Sequence, residues 1–113
     1  MRAFLIALAL LAGLPAQAAV SALNDYPTDA RADYVFACMK TNGETHDALE
    51  RCSCSIDVIA SLLPYDAYVS GETVASMIQD SGAPGRAIKA SALARSKLVT
   101  LRRAQAESEI RCF

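Results

Sequence analysis

Four cysteines are the residues of this chain best suited to chemistry: Cys38, then Cys52 and Cys54 in a Cys-Ser-Cys triplet, then Cys112 one position from the end. Sulfur in such a set can close disulfides, hold a soft metal, or exchange disulfides with a substrate. If Cys52 to Cys54 is helical, successive residues turn by about 100° and the two sulfurs leave the helix on nearly opposite sides. They cannot then easily bond each other, and each needs a different partner. Two pairings remain: Cys38–Cys52 with Cys54–Cys112, or Cys38–Cys54 with Cys52–Cys112. Both pin one helix to a segment before it and to another far after it. Closing a loop of about 15 residues, such as 38–52, stabilises by about 3 kcal/mol on the chain-entropy model.

The other sulfur chemistries have weaker support. Cys52 and Cys54, with Met39, Met77 and His46 nearby in sequence, supply the soft ligands that copper(I) prefers. Oxidised sulfur is a poor ligand, however, and single methionines at helical spacing are ordinary core filler. The sequence therefore assigns no metal site and no cofactor, and copper handling is the alternative reading. Thiol–disulfide exchange is a third, but it favours Cys-x-x-Cys in an electropositive setting within an α/β pattern, which this chain lacks. No Cys-x-x-Cys-His for haem and no Gly-x-Ser-x-Gly is present, and there is a single histidine. Acid pairs such as Asp29 with Asp33, or Asp47 with Glu50, fall near helix N-termini, where the helix dipole accounts for them. The expectation is a protein that is not an enzyme.

The elements that carry these residues begin after a leader. Residues 1–18 read as a signal peptide: Arg2, an apolar run from Phe4 to Leu14, and the small-residue site Ala16-Gln17-Ala18. The run is shorter than the roughly 18 residues that a spanning helix needs, and Pro15 breaks it. Residues 19–113 are then one exported domain of 95 residues without a membrane span, in which four cysteines make two bridges. The expected location is a bacterial periplasm. Charge is unevenly spread. From Ala19 to Asp80, ten acids stand against Arg31, Lys40 and Arg51, whereas from Ser81 onward seven bases stand against Glu107 and Glu109. No aromatic residue interleaves those bases, which argues against nucleic acid and for an acidic half packed on a basic last helix.

The fold expected is all-α, a small three- to four-helix bundle stapled by two disulfides. Thr28 reads as an N-cap, with a helix to Thr41 closed by Asn42-Gly43. Thr45 caps a second helix, in which Leu49, Cys52, Ile56, Ile59 and Leu63 recur at intervals of 3 and 4. Cys54, Val58 and Leu62 form another row, and Pro64 ends the helix. Tyr65 to Asp80 is a weaker helical region that Gly71 is expected to interrupt. Ser81 to Gly85 reads as a loop, and Arg86 to about Arg111 as one uninterrupted last helix.

That last helix has two apolar stripes. Ala87, Ala90, Ala94, Leu98, Leu101 and Cys112 share an arc free of charge, as a core-facing stripe should. Ile88, Ala92, Val99, Ala106 and Ile110 share a separate arc bordered by Arg95 and Arg103. The second stripe either touches the third helix or meets a protein partner, and Ile88, Arg95, Val99, Arg103 and Ile110 are the candidate partner-binding residues.

Two stretches also carry a resemblance: Arg31-Ala-Asp-Tyr-Val-Phe-Ala-Cys38-Met-Lys-Thr-Asn-Gly43, and Arg51-Cys-Ser-Cys-Ser-Ile-Asp57. Residues 31–57 resemble a group of small uncharacterised proteobacterial periplasmic proteins with a cysteine followed by Cys-x-Cys at the head of a helix. Some of that group accompany quinoprotein alcohol dehydrogenase systems. The resemblance implies an accessory role beside a periplasmic oxidoreductase and transfers no catalytic residue.

Overall fold

Five helices follow one another in the computed structural model, which describes residues 25–113. They are α1 (Thr28–Asn42), α2 (His46–Leu62), α3 (Tyr65–Met77), α4 (Ala83–Ala90) and α5 (Ala92–Cys112), with no strand among the described residues. The expected signal peptide, residues 1–18, lies outside the described residues.

Local chemistry sets most of the boundaries. Gly43 follows α1 with φ 102°, a left-handed conformation that suits glycine, and its N–H donates to the Met39 carbonyl. The Thr45 hydroxyl accepts the Ala48 N–H at 3.1 Å and so opens α2. Pro64 pushes Leu63 into extended backbone, and α2 stops at Leu62.

Four expectations are corrected. Pro27, not Thr28, occupies the N-cap position of α1, and no side chain caps that end. Gly71 does not interrupt α3. A β-carbon there would lie 2.7 Å from Leu101 Cβ, so the missing side chain is what lets α3 lie close against α5. The loop read over 81–85 is helical from Ala83, because Pro84 suits a first helical turn, which needs no donor there. Finally, the last helix is two. Ser91 is extended (φ −74°, ψ 123°), and its hydroxyl accepts the Ala94 N–H at 3.2 Å, so it caps α5 rather than continuing α4.

At the centre α2 and α5 pack against each other; α1 lies on α2, and α3 lies on α5. Cys52, Ile56, Ile59 and Leu63 of the α2 seam are buried, as are Leu101 and Ala104 of α5. Ile56, Ile59 and Leu101, each at most 2% exposed, contribute about 1.5–3 kcal/mol apiece by leaving water. Leu49, expected on the seam, is 40% exposed, since α1 covers only part of that first turn. Tyr26 ties the chain before α1 to the core: it is buried, and its hydroxyl donates to the Leu63 carbonyl at 2.8 Å. Asp25 accepts the Tyr65 N–H at 2.8 Å, closing the same corner.

Candidate functional site

The disulfides are Cys38–Cys52 and Cys54–Cys112, the first of the two pairings that the sequence leaves open. Cys52 points into the α1 side of α2 and Cys54 into the α5 side, as two residues one apart on a helix must. The second bridge closes a separation of 58 residues, worth about 4 kcal/mol on the chain-entropy model. The described residues contain no free cysteine. The other soft ligands of the copper reading are dispersed as well. Met39 lines a groove between α1 and α2, Met77 sits at the end of α3, and His46 is exposed on the first turn of α2 beside Glu50.

The partner-binding candidates divide between two helices. Ile88 belongs to α4, half-buried near Met77, Pro84 and Gly85, because the bend at Ser91 breaks the phase of a single wheel. The others remain together on α5. Counted from Val99 at 100° per residue, Ala92, Arg95, Arg103, Ala106 and Ile110 fall within about 40° on either side. The buried residues Ala94, Leu101, Ala104 and Ser108 lie about 140–220° away, on the opposite side. The stripe therefore faces solvent and not α3: Val99 is 47% and Ile110 80% exposed. Among the described residues, neither Arg95 nor Arg103 has a side-chain hydrogen bond or an ion-pair partner.

Beside this face a cleft opens between α1 and α3. One lobe of about 520 Å³ lies among Asp29, Asp33, Tyr65, Tyr68 and Glu72. A second, of about 290 Å³, shares Asp33, Tyr68 and Glu72 with it and adds Tyr34, Cys38 and Glu109. Four carboxylates line these lobes without a basic side chain among the lining residues. Burial raises the Glu72 carboxyl above the usual carboxylate range against the opposing pull of Arg102, and Gln105 donates to it at 3.3 Å. Burial likewise holds the Tyr68 and Tyr34 phenols protonated far above neutrality; for Tyr34 the Ser108 and Ser55 hydroxyls partly oppose the shift.

Sequence reasoning did not single out this cleft. The i, i+4 pair Asp29 and Asp33 and the i, i+3 pair Tyr65 and Tyr68 are its only local signals. It also passed over the groove between α1 and α2, about 510 Å³ and almost wholly apolar, formed by Val35, Phe36, Met39, Leu49 and Ile56. The Arg31–Asp57 ion pair, 2.7 Å, stands at its rim. Phe36 is 64% exposed here; α1 presents no fully buried side chain and is held by its disulfide and by Tyr34 and Val35, which pack against the core.

Among known proteins, no family model matches this chain, and neither does a curated protein or a solved structure. No helix among the described residues is long and apolar enough to cross a membrane.

Proposed function

We propose that this chain is a non-enzymatic accessory protein of the periplasm that binds a protein partner through the outer face of α5. The observation that carries the reading is the exposure of Val99, between Arg95 and Arg103, and of Ile110 further along the same side of α5, opposite its buried residues. An apolar row bordered by arginines, neither covered nor neutralised among the described residues, fits a surface that another molecule completes. Two disulfides suit an oxidising compartment, and the leader-like residues 1–18 supply the route to it. The resemblance over residues 31–57 suggests the partner class, a periplasmic oxidoreductase of the quinoprotein type. In this role the disulfides are structural, and the chain's task is to present a fixed helical face.

A photo-crosslinking residue placed at position 99 or 110 tests this in the periplasm. Adducts with an oxidoreductase subunit at both positions, absent from a control at Glu44 in the α1–α2 loop, are the expected result. Val99→Asp in the crosslinking chain with position 110 labelled should abolish the adduct. Adducts that form equally at Glu44, or none at 99 and 110, would exclude α5 as the docking face.

A further inference from the structure

We infer that this chain pairs with a second copy of itself, the arginine face of α5 in each copy lying across the carboxylate cleft between α1 and α3 of the other. The inference rests on reading the outer face of α5 as a docking surface, and it names an occupant that covers the face when no other partner is bound.

Charge is the first argument. The first half of the chain is acidic and the last third basic, so packing one against the other within a single molecule could neutralise both. The fold does so only weakly, through the pull of Arg102 on Glu72, and no ion pair among the described residues joins the two regions. Of the five ion pairs among the described residues, four are i, i+4 contacts within or beside one helix, and the fifth joins Arg31 to Asp57, both in the acidic half. Among the described residues, Arg95 and Arg103 are exposed without an ion-pair partner, and on the cleft Asp33 and Glu109 have none either. Each surface lacks what the other holds.

Position is the second. Counted from Val99, Glu109 lies about 80° and Arg102 about 60° round α5 on the same side. Arg102 donates to Gln105 at 2.9 Å, and Gln105 donates to Glu72 of the cleft at 3.3 Å. The basic face and the acidic cleft are thus neighbours that share one edge. Two adjacent stripes of opposite sign are self-complementary under a two-fold axis along that edge, since each basic stripe then meets the acidic stripe of the other copy, and the assembly closes as a dimer. Pairing α5 directly with α5 would instead set Arg95 and Arg103 against their own copies, a like-charge contact that disfavours it. The chemistry of the two surfaces also fits. Guanidinium groups pair with carboxylates through a planar fork and stack on tyrosine faces, and the cleft offers Tyr65 and Tyr68 beside its acids.

Sedimentation velocity on the purified chain tests this. The wild type should approach twice the monomer mass at about 0.05 M salt and return to monomer near 0.5 M, where screening shortens to a few ångströms. Arg95→Glu with Arg103→Glu should be monomeric at low salt, as should Asp33→Lys with Glu109→Lys. Mixed one to one, these two variants should recover the dimer, because each then offers what the other needs. A wild type that stays monomeric at low salt overturns the inference without any variant. So does a dimer that ignores salt, a dimer kept by either charge reversal, or a mixture that stays monomeric. A monomeric chain that still crosslinks to an oxidoreductase through residue 99 overturns the dimer alone; a salt-sensitive dimer with no such adduct overturns the accessory role alone.

Discussion

The two faces of α5 are made from the same kinds of residue and do opposite work. On the inner face Leu101 and Ser108 are wholly buried, Ala104 is nearly so, and the bridge at Cys112 anchors the end to α2. On the outer face Val99 and Ile110 are as apolar, yet both stand in solvent, Val99 between two arginines that have no partner among the described residues. The apolar side chains alone do not separate the two stripes, although Arg95 and Arg103 border the outer one. What separates them is the neighbour each one finds: the inner stripe meets the side-chain-free Gly71 and the seam of α2, whereas the outer stripe is left exposed among the described residues. An apolar row on a helix is therefore only a candidate for burial, and the complementary surface decides.

Substitutions on the two faces should separate accordingly. Leu101→Ala deletes a side chain at the junction of α2, α3 and α5 and should cost about 3 kcal/mol in denaturant unfolding, within the range for leucine truncations in cores. A loss under about 1 kcal/mol would mean that this face is loosely packed. Gly71→Ala adds the β-carbon that meets Leu101 and should cost about 1–3 kcal/mol, even though alanine is the better helix former. A gain in stability would show that α3 can retreat without loss.

At the edge between the faces, Glu72→Gln should stabilise slightly at neutral pH, by up to about 0.5 kcal/mol. Burial raises the folded-state Glu72 above its unfolded value, so the carboxyl favours folding while protonated and loses that advantage as pH rises through its folded pKa. The gain of the glutamine variant should accordingly fade below about pH 4, near the ordinary glutamate value. Thermal melts across pH read this directly, and a gain that grows on acidification would reverse the assignment. Smallest of all, Val99→Asp should change unfolding by no more than about 0.5 kcal/mol while removing partner capture. Unfolding by this variant would make the outer stripe part of the core.

Much of this architecture is legible in the chain, because its signals are local. Gly43, Thr45 and Pro64 act on backbone within a few residues of themselves, and the seam through Cys52, Ile56 and Ile59 is a periodic pattern that survives folding unchanged. The direction of the two cysteine side chains follows from helical geometry alone, although the choice between two pairings does not. Ser91 was opaque for a physical reason. A serine within a run of good helix formers can stay helical or turn its hydroxyl back to cap a new helix, and only the packing of α4 against α3 and α5 selects the second. The cleft was hidden more deeply. Asp33, Glu72 and Glu109 are separated by tens of residues and meet only because α1 and α3 flank the α2–α5 pair without filling the space between them.

Threading both bonds through α2 has a consequence for survival among proteases. A nick at a single peptide bond between Cys38 and Cys52, or between Cys54 and Cys112, leaves both fragments covalently joined, whether it falls after Gly43, at Pro64, near Asp80 or at Ser91; only the two bonds flanking Ser53 lie outside both loops. The severed molecule would keep its mass until a reductant is added. Neither α3 nor α4 carries a bond of its own, so within the longer loop two cuts, one on each side of either helix, are needed to free it.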